Sequence, residues 1–149
     1  MVVQRVVRAE VRVGGSAVAG IGRGFLVLLG VFRDDGEADA EWLAERLPKL
    51  RVFDDPEGKM NRDLLEVDGE VLVVSQFTLY GTVRKGNRPS YNRAAGPDRA
   101  VPLYERFAAE VSRRTGRDTP TGRFGERMEV GLVNDGPVTL VLDSRERDF

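Results

Sequence analysis

Only two stretches of this chain keep a helical period, while most other apolar segments alternate as strands do or are short and bounded by Gly, Asp and Pro. Val2 to Val13 alternates well enough for one long strand, and Gly14-Gly15 marks a hairpin before Ser16 to Ile21. Phe25 to Val31 is an apolar strand closed by Asp34-Asp35-Gly36. From about Glu37 to Leu50 the residues Leu43, Leu47 and Leu50 fall at i, i+4 and i+7, with Trp42 alongside, which predicts a helix that Pro48 ends early or kinks. Arg51 to Phe53 predicts a short strand and Glu70 to Phe77 a clear one. A second helix carries Tyr104, Phe107, Ala108 and Val111 on one face and stops at Thr115-Gly116; strands at Met128 to Val133 and Val138 to Leu142 end the chain. So many strands with only two helices predict an α/β fold: a mixed, mainly antiparallel sheet curled into a partial barrel, its two main helices packed outside. At 149 residues a single domain spanning 1–149 is expected.

Composition removes several classes of function. Hydrophobic residues at 41% and charged residues at 32% fit a globular chain rather than a disordered or membrane one. The longest apolar run, Phe25 to Phe32, falls far short of the roughly 20 residues of a membrane helix. The N-terminus alternates apolar and basic residues, unlike a secretory signal, so a cytoplasmic location without a membrane partner is expected. With Cys 0 and His 0 there is no thiolate, no imidazole base and no Cys- or His-ligated zinc, and no metal-binding residue or cofactor is assigned from the sequence. A net charge of -1 argues against tight non-specific binding, and DNA is not an expected partner. Gly22-Arg23-Gly24 is too short a match for a phosphate loop and reads as turn formers.

Three clusters remain as candidate chemistry. In Ser75-Gln76-Phe77-Thr78-Leu79-Tyr80-Gly81 an apolar strand turns polar at its C-terminal end, where free backbone N–H groups and polar side chains can meet. Ser75 and Thr78 equally suit ending a strand by local hydrogen bonds. Within the polar loop from Gly81 to Gly96, the run Thr82 to Ser90 carries Arg84, Lys85 and Arg88, with Arg93 just beyond that run, and no acid, which suits phosphate contacts and equally a solvated loop. The third cluster, Asn134-Asp135-Gly136-Pro137-Val138-Thr139, breaks a strand-like run with a proline that cannot donate to a ladder, so a turn, an exposed edge or a working main-chain site is expected there.

SQFTLYG together with NDGPVT resembles the paired signatures of the D-aminoacyl-tRNA deacylases, and MVVQRV, GFLVLLGV, GKMN, RKGNRPS and TGRFGERMEVGLVNDGPVTL extend the likeness over essentially the whole chain. The resemblance implies hydrolysis of the ester joining a D-amino acid to the 3′-terminal adenosine of tRNA, with glycyl-tRNA mischarged on tRNA-Ala as a further substrate. It implies a homodimer in which a Gly136-cis-Pro137 motif of one subunit enters the site of the other and reads chirality with main-chain atoms. It places Ser75, Gln76, Phe77 and Thr78 at the reaction, an N–H of Phe77 or Thr78 polarising the ester, and it points to substrate-assisted catalysis since no imidazole is present to activate Thr78. Asn134 and Thr139 complete the second motif at the substrate. Arg5, otherwise a plain solvent-facing strand residue, braces the Gly-Pro segment in this reading, and Phe124, equally suited to a core, stacks on the terminal adenine. Arg84, Lys85 and Arg88 take the tRNA. The rival from another class is a non-catalytic RNA-binding protein that uses the same basic loop.

Overall fold

β1 (Val2–Val13) is the strand around which the sheet of this computed structural model is built, and residues 1–148 are described. Residues Val2 to Val6 pair antiparallel with β3 (Gly24–Leu29), and Ala9 to Val13 pair antiparallel with β2 (Ser16–Ile21). From Val2 to Arg12, with register shifts at Arg5 and Val7, β1 also pairs antiparallel with β7 (Glu129–Val141). One long strand thus hands over from one neighbour to another midway, which curls the sheet. β6 (Glu70–Ser75) adds to β3 in parallel, from Gly24 opposite Glu70 to Leu29 opposite Ser75. The curl is tied across its mouth where the Gly22 N–H donates to Glu70 Oε1 at 3.0 Å. A two-stranded ribbon, β4 (Phe53–Asp54) with β5 (Met60–Arg62), stands apart.

Alternation sorts the sheet's side chains onto two buried faces. Phe25, Val27, Leu29, Val71 and Val73 pack under α1 (Glu37–Arg46) and α2 (Pro97–Thr115), joined by Leu43, Leu47, Tyr104, Phe107 and Val111. Val6, Val11, Leu26, Leu72 and Val74 fill the inside of the curl. Both faces of β3 and β6 are covered, which is why those strands read as unbroken apolar runs.

Most predicted elements lie where the patterns put them, and the differences have local causes. α1 stops at Arg46 and a 3₁₀ turn (Leu47–Lys49) follows, because Pro48 has no N–H to continue the ladder. β3 ends at Leu29 and β6 at Ser75, two residues short of expectation in each case: the Gln76 N–H makes one last bond to the Leu29 carbonyl at 2.8 Å and the chain then turns into a 3₁₀ helix (Phe77–Tyr80). Gly24 is more than a turn former. It opens β3 at φ +155°, and a Cβ there would lie 1.8 Å from the Glu70 carbonyl oxygen. The two strands expected at the C-terminus are the single strand β7. Val6 faces Asn134 and Gln4 faces Thr139, so Asp135, Gly136, Pro137 and Val138 all stand opposite Arg5. The proline is carried in this bulge, outside the ladder that it could not serve.

Candidate active site

A cleft of about 530 Å³ opens where β6 ends, and it gathers Ser75, Gln76, Phe77 and Phe124. Two main-chain links place Phe124 there: the Val73 N–H donates to the Pro120 carbonyl at 3.0 Å, and the Gly122 N–H donates to the Val73 carbonyl at 2.9 Å. The Tyr104 hydroxyl, within 3.4 Å of the Val73 carbonyl and 3.3 Å of that of Gly122, fastens the same segment to α2. Phe124 leans on the Tyr104 ring at 6.2 Å, partly buried against the core, and also lines the cleft. Phe77 is 54% exposed, held edge-on to Tyr91 at 5.1 Å. Val31, Ala95, Met128 and Val130 complete the apolar wall; nothing in their sequence context marks them, because three separate segments converge to form it.

At the start of the 3₁₀ helix the Phe77 and Thr78 N–H groups precede the first bond of the turn, Leu79 N–H to the Gln76 carbonyl at 3.3 Å, and neither has an acceptor among the described residues. The Gln76 amide donates to the Thr78 hydroxyl oxygen, the one hydrogen-bond partner of that oxygen among the described residues. Among the described residues no ionisable side chain is hydrogen-bonded to the Thr78 hydroxyl. Tyr80 is no base either: burial, reinforced by Asp35 and Asp143, pushes its phenol up to about 12. Among the described residues the one ionisable side chain that lines the cleft is Glu126, whose carboxylate lies 4.0 Å from the Arg123 guanidinium. A roomier groove of about 700 Å³ beside Arg8, Glu10 and Glu70 is lined by none of the catalytic, substrate-binding or tRNA-binding residues expected from the sequence.

The second motif forms its own constellation around Arg5, which is 6% exposed rather than solvent-facing. Its Nε donates to the Asp135 carbonyl at 3.3 Å, and one terminal nitrogen donates to the Val52 carbonyl at 2.6 Å and to Asp54 Oδ1 at 3.3 Å. The Asp135 carboxylate pairs with Nε at 3.2 Å. Asn134 closes the neck of the bulge by donating to the Arg5 carbonyl at 2.9 Å and the Val138 carbonyl at 3.0 Å. The Thr139 hydroxyl donates to Asn134 Oδ1 at 3.4 Å. Gly136 has φ +119°, and a Cβ there would meet Val138 Cγ2 at 2.9 Å. The Gly136–Pro137 peptide bond is cis. None of Arg5, Asn134, Gly136, Pro137 or Thr139 lines the cleft of the same chain.

Arg84, Lys85 and Arg88 are exposed on one loop, pinched at its base by reciprocal Thr82–Ser90 backbone bonds of 2.9 Å. Among the described residues none of the three has a carboxylate within 4.0 Å. No described helix is long and apolar enough to cross a membrane.

Known proteins are similar to this chain in fold and sequence. A solved structure described as c-Myc DNA Unwinding Element Binding Protein superimposes with a TM-score of 0.86 at 40% identity, covering 93% of this chain and 94% of that one. The chain is 59% identical over 145 residues to a D-aminoacyl-tRNA deacylase of Symbiobacterium thermophilum, covering 97% of this chain and 95% of the relative. It is 56% identical over 146 residues to the D-aminoacyl-tRNA deacylase of Thermus aquaticus, covering 98% and 95%. These likenesses define a class, the hydrolases that act on ester bonds. Within it, the family model described as D-Tyr-tRNA(Tyr) deacylase matches residues 2–143, and the chain belongs to the D-aminoacyl-tRNA deacylase family. Its activity is the deacylation of D-aminoacyl-tRNA, which sets aside the non-catalytic RNA-binding reading.

Proposed function

We propose that this deacylase works with main-chain groups and the substrate's own ribose rather than with a side-chain nucleophile. The observation that carries the reading is the pair of unpartnered N–H groups, of Phe77 and Thr78, beside a cleft whose one ionisable lining residue is Glu126. Donors aimed at a developing oxyanion are commonly worth about 10²–10³ in rate each. The terminal adenosine stacks on Phe124, Ser75 and Gln76 shape the pocket around the ester, and the neighbouring ribose 2′-hydroxyl assists the attack of water.

The chirality filter comes from a second copy of the chain. The Gly136–Pro137 bulge lies outside its own cleft, and it sits on β7, which pairs with β1 alone among the described strands. Val133 at 38% and Val141 at 50% exposure leave apolar surface on that strand for a homodimer contact. In the dimer the Gly136 and Pro137 carbonyls accept from the substrate α-ammonium, and the rigid backbone leaves room for a D-side chain while an L-side chain collides with it. Glycine has no side chain to collide, so glycyl-tRNA mischarged on tRNA-Ala is cleaved too. Arg84, Lys85 and Arg88 take phosphates of the tRNA.

Single-turnover rates on D-tyrosyl-tRNA ending in adenosine or 2′-deoxyadenosine test the mechanism. The deoxy substrate is expected to be cut at least about 10²-fold more slowly, and the Thr78→Ala chain to stay within about tenfold of the parent. Equal rates on the two substrates refute ribose assistance, and near-total loss in Thr78→Ala with intact binding makes the threonine a nucleophile.

A further inference from the structure

Phe32 lies just outside the cleft wall and carries an unusual load of charge. The guanidinium of Arg145 sits 3.8 Å from the centre of its ring, that of Arg93 at 5.6 Å and that of Arg33 at 5.7 Å. The ring is buried, packed on Tyr80 at 5.4 Å, while all three arginines are exposed. One aromatic ring attracts a cation only weakly at an exposed site, and it does nothing to relieve the repulsion among three. Acids stand nearby. Asp34 is 3.7 Å from Arg33, both largely exposed. Asp35 is buried and already accepts the Phe32 N–H at 2.8 Å, and Asp143 accepts the backbone N–H of Arg145 at 3.0 Å. Arg93 and Arg145 have no carboxylate within 4.0 Å among the described residues. Two guanidiniums therefore keep free donors toward solvent on a ring-backed platform.

We infer that Arg33, Arg93 and Arg145 on Phe32 form a cradle for RNA phosphodiesters, holding the strand that leads out of the cleft; this rests on the reading that the cleft takes the aminoacylated 3′ end. The backbone supports the path. The Ala95 N–H donates to the Val31 carbonyl and the Arg33 N–H to the Arg93 carbonyl, at 2.9 and 3.0 Å, so the cleft-wall pair Val31 and Ala95 runs directly into the arginine pair. Beyond them no acid occurs between Glu70 and Asp98, and Arg84, Lys85 and Arg88 extend the positive surface. Guanidinium groups suit this partner because their planar fork matches two phosphate oxygens at once.

Binding of a fluorescent, uncharged RNA hairpin ending in CCA, titrated across a salt series by anisotropy, tests the cradle apart from the chemistry. For the doubly substituted Arg93→Gln, Arg145→Gln chain the dissociation constant is expected to rise about tenfold and the slope of its logarithm against log salt to shrink by about one to two. The lysine pair at the same positions should recover most of the salt slope, which a merely structural role for the arginines would not allow. With D-aminoacyl-tRNA the loss should appear in KM and be absent for a D-aminoacyl-adenosine fragment too short to reach Phe32. Should the double substitution melt early, Arg33→Gln and Arg93→Gln carry the same salt test singly. Unchanged hairpin affinity and salt slope in folded variants overturn the cradle. Arginine-dependent hairpin binding with no turnover of any D-aminoacyl ester would instead count against the mechanism above and leave the cradle standing.

Discussion

At Arg5 a single buried guanidinium joins β1, the Val52–Asp54 segment and the β7 bulge, and its acceptors come from two segments far apart in sequence. Its carboxylate partners Asp54 and Asp135 are roughly half exposed, so the carbonyls rather than the charges hold it in place. Glu126 bears on the chemistry at the same scale. If it were a general base its removal would cost about 10²–10⁴ in rate; Glu126→Gln is expected to change kcat less than tenfold, and a pre-steady-state assay on D-tyrosyl-tRNA decides the matter. Asp35 makes a pH prediction. Burial raises its carboxyl above the ordinary 3.8 despite the Phe32 N–H that favours the anion. The folded state then holds the proton more tightly than the unfolded one, so this group lowers stability as pH rises from about that ordinary value through the folded one, and the loss is constant above. Asp35→Asn, with its amide oxygen still accepting from Phe32, should gain on the parent over that window in urea midpoints measured across pH. Parallel curves for the two chains would show the burial penalty to be absent.

Among the elements, the β3–β6 pair is the most tightly constrained. Its parallel ladder brings Gly24 so close to Glu70 that any Cβ overlaps main-chain atoms, 1.8 Å from oxygen and 2.6 Å from nitrogen. A main-chain clash cannot be relieved by a rotamer. Gly24→Ala is therefore expected to destabilise by more than about 3 kcal/mol, beyond the common range for a point change, read as a fall in the denaturation midpoint or a failure to fold; a loss below about 1 kcal/mol would mean that the two strands can part there. The same ladder delivers Ser75 and Gln76 to the cleft, so the variant should lose activity in proportion to its folded fraction. Element types were legible from period and composition in β1, β2, α1 and α2. The ends of β3 and β6 were not, because Leu29 and Gln76 are paired by a cross-strand bond that no local pattern encodes.

For the whole molecule, the cleft and the Gly136–Pro137 bulge are separate within one chain, and the proposed dimer unites them. This has a measurable consequence. A Gln76→Ala chain and a Pro137→Ala chain, each impaired alone, should recover activity when unfolded together and refolded as a mixture, to about a quarter of the parent level, since half of randomly paired dimers are mixed and each mixed dimer holds one intact site. No recovery in mixed dimers would place both motifs of one site in the same chain.

Taken alone, the amino-acid order determined the fold class, the absence of imidazole and thiol chemistry, and the two signature stretches, because periodicity, composition and contiguous motifs are local properties. Tertiary structure decided which segments meet. The burial of Arg5, the joining of Phe124 to the end of β6, the free N–H groups of Phe77 and Thr78, and the gathering of Arg33 and Arg145 with Arg93 around Phe32 all depend on contacts between residues distant in the chain. Such contacts exist only once a curled sheet has brought those residues together, and a linear pattern carries no distance.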